Sequence, residues 1–268
     1  MSVFTGAKRI VVKVGTSTLT YDTGKLNIRR VEKLAGVLSD LCNSGLQVAL
    51  VTSGAIGVGV GKLGLSAKPS DTPGRQAAAT VGQCELMYIY DKYFREFGYP
   101  TGQLLITKDD LNDPRRRGNL VNAFERLFEY GAVPIVNEND AVAVEEIVFG
   151  DNDTLSAAVA KLIGAQGLII LTDIDGLYDR DPRTDSEASL IPVIHTIDET
   201  VMALAGGSGT SRGTGGMVTK LHAARLATAT GIPTVVMNGQ EPHDIYRLLE
   251  GHRFGTLFTP EKKGEVSH

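Results

Sequence analysis

The 268-residue sequence has two cysteines, Cys42 and Cys84, too few for a disulfide framework and without the spacing of a metal site. Both fall in helical apolar patterns, which predicts two buried thiols in a reducing compartment. The N-terminal residues lack an apolar signal core, and the run 10–14 is too short to be one. No stretch approaches the ~20 apolar residues that a membrane helix needs. Positive charge is not in excess: 27 Lys and Arg face 31 Asp and Glu, a formal net charge of −4. That balance argues against nucleic-acid binding driven by phosphate attraction. The expectation is a cytoplasmic protein that engages neither membrane nor nucleic acid. The five histidines (195, 222, 243, 252 and 268) stand apart from the polar turns of the chain and read as structural or solvated. No Ser–His–Asp arrangement is visible, so hydrolase chemistry is not indicated.

Glycine is what the chain has in plenty. Its 31 residues exceed an average usage of about 7% and imply turns with positive φ or close backbone approach. Short β-branched runs alternate with helical patterns. Strands are predicted at 9–14, 47–52, 101–106, 133–137, 167–172, 233–237 and 256–258. Helices are predicted after a cap at Asn27, then at 74–97, 120–130, 151–163, 217–230 and 244–249, with a small hairpin at 141–149. Strands apolar on both faces, in this βαβα order, predict an open, mainly parallel sheet covered by helices. Residues 1–260 read as one domain with a charged tail at 261–268. The polar stretch 179–188 is where two lobes of one sheet would part.

In open α/β sheets, ligands sit at the carboxyl ends of the strands. Four strand ends carry polar, glycine-containing turns: Lys13-Val14-Gly15-Thr16-Ser17, Thr52-Ser53-Gly54-Ala55, Asn137-Glu138-Asn139-Asp140 and Thr172-Asp173-Ile174-Asp175-Gly176. Residues 59–64 match G-x-G-x-x-G. The match begins seven residues after Thr52, and Glu85, where the acidic partner is due, falls inside a long helix. A Walker A loop also fails, because Leu63 follows Gly61-Lys62. This tract instead reads as backbone near a ligand, its N–H groups and the Ser53 hydroxyl able to hold an anion. A second tract, 206–216, has six glycines and leads directly into a helix with Lys220 on its first turn. Free N–H groups, a positive helix end and an ammonium suit a polyphosphate.

Lys13 sits among valines in a strand, which requires either a buried anion or an edge position facing solvent. The run Phe149-Gly150-Asp151-Asn152-Asp153-Thr154 exceeds what helix capping needs. Asp140, Asp173 and Asp175 add carboxylates able to hold Mg²⁺ or orient an amino group. Two separated lysines, two Gly-rich tracts and acidic turns suit phosphoryl transfer, which is largely positioning and charge neutralisation. An acceptor that is already an anion needs no general base.

These turns, together with Val51-Thr52-Ser53-Gly54-Ala55-Ile56, Leu171-Thr172-Asp173-Ile174-Asp175-Gly176-Leu177-Tyr178 and Gly213-Thr214-Gly215-Gly216-Met217 through Lys220, resemble the amino acid kinase superfamily over residues 8–260. Within it they are most similar to the branch acting on L-glutamate. The resemblance implies a three-layer αβα sandwich with a mainly parallel central sheet, an amino-acid half followed by a nucleotide half. It implies ATP-dependent phosphorylation of the L-glutamate γ-carboxylate to glutamyl 5-phosphate, the first step of proline biosynthesis, with Mg²⁺. Lys13, Asp153 and Lys220 would be catalytic, Asp153 orienting both lysines. Ser53, Asp140 and Asn152 would hold glutamate. ATP would meet Lys13, Thr172, Asp173, Thr214, Gly215, Gly216, Met217, Val218, Thr219 and Lys220, and no protein metal ligand is assigned. Feedback inhibition by proline and a homo-oligomer, dimer or tetramer, are also implied. The segment 112–120, with Arg115–Arg117, is either part of that regulation or a solvated basic loop. Many members of the branch carry a C-terminal PUA domain, and this chain is expected to lack one. Rival acceptors are acetylglutamate, aspartate, carbamate and nucleoside monophosphates. A nicotinamide-dependent oxidoreductase and a non-catalytic amino-acid sensor stand as readings of other classes.

Overall fold

The computed structural model describes residues 3–21, 25–142, 151–205 and 216–260. In chain order the elements are β1 (Arg9–Val14), α1 (Thr16–Leu19), α2 (Ile28–Asn43), β2 (Gln47–Val51), α3 (Ala55–Leu63) and α4 (Thr72–Glu96). Next come β3 (Thr101–Ile106), α5 (Lys108–Asn112), α6 (Pro114–Glu129), β4 (Val133–Glu138), α7 (Asn152–Leu162) and β5 (Leu168–Thr172). The chain continues through β6 (Val193–Ile194), α8 (Glu199–Leu204), α9 (Met217–Thr228), β7 (Thr234–Asn238), α10 (Asp244–Glu250) and β8 (Thr256–Phe258). The eight strands of the described residues join one sheet in the order β3-β4-β2-β1-β5-β7-β8-β6. Every neighbouring pair is parallel except β7 with β8.

Helices cover both faces of this sheet. Ile10, Val12 and Val14 point to the side of Leu34 and Leu38 from α2 and Leu86 and Phe94 from α4. Val11 points the other way, toward Leu155 and Val159 of α7 and Leu221 and Ala224 of α9. Side chains alternate along a strand, so Lys13 shares the face of Val11. Residue parity thus aims the Lys13 ammonium at the layer of α7 and α9. β1 lies between β2 and β5, so Lys13 is not an edge residue facing solvent.

Most predicted strands lie within a residue or two of their observed bounds. The prediction for 59–64 was wrong. Residues 59–63 belong to helix α3 and Gly64 caps its end, so the tract is not an anion-holding turn. Gly59 serves helix packing: a Cβ on it would collide with the Ala78 carbonyl of α4, just as one on Gly82 of α4 would collide with the Ala55 carbonyl of α3. The helix predicted at 120–130 begins six residues earlier, at Pro114, capped by the Asp113 side chain, which accepts from the Arg116 backbone N–H. Residues 112–120 are therefore the end of α5 and the first turns of α6 rather than a loop. Cys42 is half-buried and Cys84 exposed, so two buried thiols were not found. No helix among the described residues is long and apolar enough to cross a membrane. Most of the predicted hairpin 141–149, most of the tract 206–216 and the tail 261–268 lie outside the described residues.

Candidate functional site

The carboxyl ends of β1, β2, β4 and β5 open onto the first turn of α7. Asp151 caps that helix, its Oδ1 accepting the Thr154 backbone N–H at 2.7 Å. The cap fixes the next turn, and Asp153 is turned inward, with no exposed surface. Its two oxygens are divided between two cations. Lys13 Nζ lies 2.6 Å from Oδ1, and Lys220 Nζ lies 3.2 Å from Oδ2. The lysines are 5% and 6% exposed, so this is a buried cation–anion–cation group, with the Asp151 charge also acting on Lys13. Thr219 Oγ1 donates to Asp153 Oδ2 at 2.7 Å.

Burial alone would push the Asp153 carboxyl up. Lys13, Lys220 and the hydrogen bonds from Lys13 and Thr219 more than offset this and hold it down to about 2. Burial pushes the Lys13 ammonium down; Asp153 opposes that shift and the neighbouring Lys220 adds to it. Two buried ammoniums gathered on one carboxylate are placed to meet a further anion.

A second polar cluster adjoins it. Asn152 Nδ2 lies 2.9 Å from the Thr52 carbonyl, 3.1 Å from Ser53 Oγ and 2.9 Å from Asn137 Oδ1. Asn152 Oδ1 is buried and has no partner among the described residues. Thr52 Oγ1 is 2.8 Å from Tyr90 OH. Asp140 follows β4 and is partly buried; burial raises its carboxyl, with Lys68 opposing.

Of the predicted site residues, Lys13, Asp153, Lys220 and Thr219 meet directly, and Ser53 meets Asn152. Thr172, at the end of β5, is buried and its Oγ1 is 3.2 Å from the exposed Asp173. Gly216 caps α9, and Met217 and Val218 form its first turn. Thr214 and Gly215 lie outside the described residues. Asp175 is engaged by Asn238 Nδ2 at 2.8 Å and Tyr178 OH at 3.1 Å. Among the described residues no three His, Cys, Asp or Glu side chains are grouped to hold a metal ion. Sequence reasoning missed two polar participants. Asn137 was visible only as part of a polar turn, and Gln83 was hidden inside a long helix.

The sequence matches the model of the amino acid kinase family over residues 8–238. It is 52% identical to the glutamate 5-kinase of Clostridium perfringens over 263 residues, 97% of each chain. It is 50% identical to the glutamate 5-kinase of Caldanaerobacter subterraneus over 95% of this chain and 68% of that one. Among solved structures, the UMP kinase of Bacillus anthracis superposes with a TM-score of 0.64 at 18% identity, covering 96% of this chain and 97% of that one. At that identity the likeness shows the shared fold alone.

Proposed function

Since this chain belongs to the amino acid kinase family, within its glutamate 5-kinase branch, we propose that it transfers the γ-phosphoryl of ATP to the γ-carboxylate of L-glutamate. The observation that carries the phosphoryl-transfer reading is the buried Lys13–Asp153–Lys220 group. A glutamate γ-carboxylate oxygen attacks the γ-phosphorus. The bond from that phosphorus to the β,γ-bridging oxygen breaks, and ADP leaves with the electron pair. Glutamyl 5-phosphate forms, and no proton needs to move. The absence of a general base among the proposed reacting groups suits this chemistry.

Lys13 and Lys220 approach the reacting phosphoryl as fixed positive charges, from a strand and a helix respectively. Asp153 does not touch substrate in this scheme. It holds both ammoniums in place before substrate arrives, so little reorganisation is left for the transition state. Ser53, Asn152 and Asp140 take the amino acid; Thr172, Asp173 and the start of α9 take the nucleotide. The amino-acid half of the single domain thus precedes the nucleotide half. The described residues do not form a metal cage by themselves. Mg²⁺ in kinase sites is held largely by substrate phosphates, which leaves the protein groups free to bind and orient the two substrates.

The family also supports proline as a feedback inhibitor, a homo-oligomer and a cytoplasmic location. Lys108, Asn112, Arg117 and Lys161 line a cavity of about 760 Å³ beside α7. Its cations suit an anionic group, which keeps segment 112–120 a candidate for regulation. The test of function is ADP release with each acceptor in turn, hydroxylamine trapping the acyl phosphate as a hydroxamate. Turnover with UMP or acetylglutamate but not with L-glutamate overturns the acceptor.

A further inference from the structure

A chain of side-chain amides runs from the middle of α4 to the candidate site. Gln83 is 8% exposed, and its Oε1 accepts from Asn137 Nδ2 at 2.7 Å. Asn137 Oδ1 accepts the Glu138 backbone N–H at 3.0 Å and also Asn152 Nδ2 at 2.9 Å. A backbone N–H can only donate, so Asn137 cannot reverse its amide without setting donor against donor. Its Nδ2 must therefore face Gln83, and Gln83 must answer with an oxygen. At the far end, the Thr52 carbonyl can only accept, so Asn152 presents Nδ2 to it. Every amide in the chain donates in one sense, from Asn152 to Asn137 to Gln83. The sense leaves Asn152 Oδ1 as a buried acceptor without a partner among the described residues. Gln83 Nε2 is likewise buried and unpartnered among them, a cost that packing does not explain.

We propose that Gln83 is a positioning residue for the amino-acid substrate: by accepting from Asn137 it holds the Asn152 amide with its oxygen open to the substrate α-ammonium. The inference rests on the glutamate reading of the site. Without an acceptor at position 83, Asn137 Nδ2 becomes a buried donor with nothing to bond. Relief comes from tilting the Asn137 amide, which weakens its Oδ1 contact with Asn152. The Thr52 carbonyl still sets the sense of the Asn152 amide, but its Oδ1 is then held less firmly toward the ammonium.

The test is steady-state kinetics of the full chain by hydroxamate trapping, with glutarate, which lacks the amino group, as a competing dicarboxylate. Gln83→Leu is expected to raise KM for L-glutamate about tenfold, the equivalent of one hydrogen bond. KM for ATP, kcat and the glutarate inhibition constant should stay within about twofold, because none depends on the ammonium. Gln83→Glu keeps an acceptor and should recover most of the lost affinity. Should Gln83→Leu fail to fold, Gln83→Met, with only a weak sulfur acceptor, takes its place. An unchanged KM for L-glutamate in a folded variant, or an equal loss for glutamate and glutarate, overturns the role of Gln83 alone. A wild-type protein that yields no hydroxamate from L-glutamate overturns the acceptor and this inference together.

Discussion

Lys13 and Lys220 share one carboxylate: Asp153 meets the first through Oδ1 at 2.6 Å and the second through Oδ2 at 3.2 Å. The lysines are 207 residues apart in sequence, one in the central strand and one in the first turn of α9. Neither local structure needs an ammonium. In the proposed reaction both face charge that migrates toward the leaving oxygen, so they act mainly in the transition state. By analogy with loss of an oxyanion-hole donor, Lys220→Ala should lower kcat by about 10²–10³, or roughly 3–4 kcal/mol, with a smaller change in KM. Lys13→Ala should behave alike, and the double variant should fall short of additive. Either single variant folding normally with near wild-type kcat removes that lysine from the reaction.

The same carboxylate predicts an acid limb of stability. The folded-state value of about 2 for Asp153 lies below the ~3.9 of an unfolded aspartate. A depressed carboxyl stabilises the fold fully above the unfolded value and loses that contribution as pH falls through the folded one. The expected contribution of about 2 kcal/mol is thus present above pH ~4 and gone near pH ~2. Urea unfolding of wild type and Asp153→Asn across this window checks it. The variant should be less stable at pH 7, because two buried ammoniums lose their anion, and the gap should narrow on acidification. A constant gap down to pH 2 contradicts the assignment.

The central group was legible because each member violates a local rule: a lysine among strand valines, an acid beyond the helix cap, a lysine after a glycine tract. The amide chain was not. Gln83 and Tyr90 sit in a helix whose local sequence gives no reason to bury polar groups, and only packing against β2 and β4 reveals their partners. Helix α3 was hidden for another reason. Gly57, Gly59 and Gly61 each cost about 1 kcal/mol relative to Ala in a helix, so intrinsic propensity pointed to a turn. At Gly59 the close approach of α4 overrides that preference. In the early turns of α6, three consecutive arginines masked the apolar periodicity that becomes visible from Leu120 onward.

That α3–α4 contact can be tested directly. Gly59→Ala or Gly82→Ala places a methyl against a backbone carbonyl of the opposing helix, where no flexible side chain can yield. Each should destabilise the fold by at least about 1–3 kcal/mol, read as a lower denaturation midpoint. Gly118→Ala, where an added Cβ meets nothing within 4 Å, is the control. Relief of backbone entropy in α6 should leave that variant as stable as wild type or slightly more so. Equal stability of Gly59→Ala and Gly118→Ala contradicts close helix packing as the reason for glycine at 59.

Asp140 distinguishes the proposed amino-acid site from the proposed nucleotide site. It follows β4, on the same side of the sheet centre as Ser53 and Asn137, whereas Thr172 and α9 lie beyond β1. In the proposed site its carboxylate meets the amino acid and does not reach the phosphates. Asp140→Ala should therefore raise KM for L-glutamate by far more than KM for ATP. Burial raises the Asp140 carboxyl above the ordinary value of an aspartate, the Lys68 charge opposing. The group therefore takes up its proton at a higher pH than an exposed aspartate does. As pH falls it becomes neutral first and loses its attraction for an ammonium, so KM for L-glutamate should climb on mild acidification in the wild type. The climb should be absent in Asp140→Asn, which already lacks the charge. Parallel changes in both KM values, or an acid-dependent rise that survives in Asp140→Asn, place the ammonium against a different group.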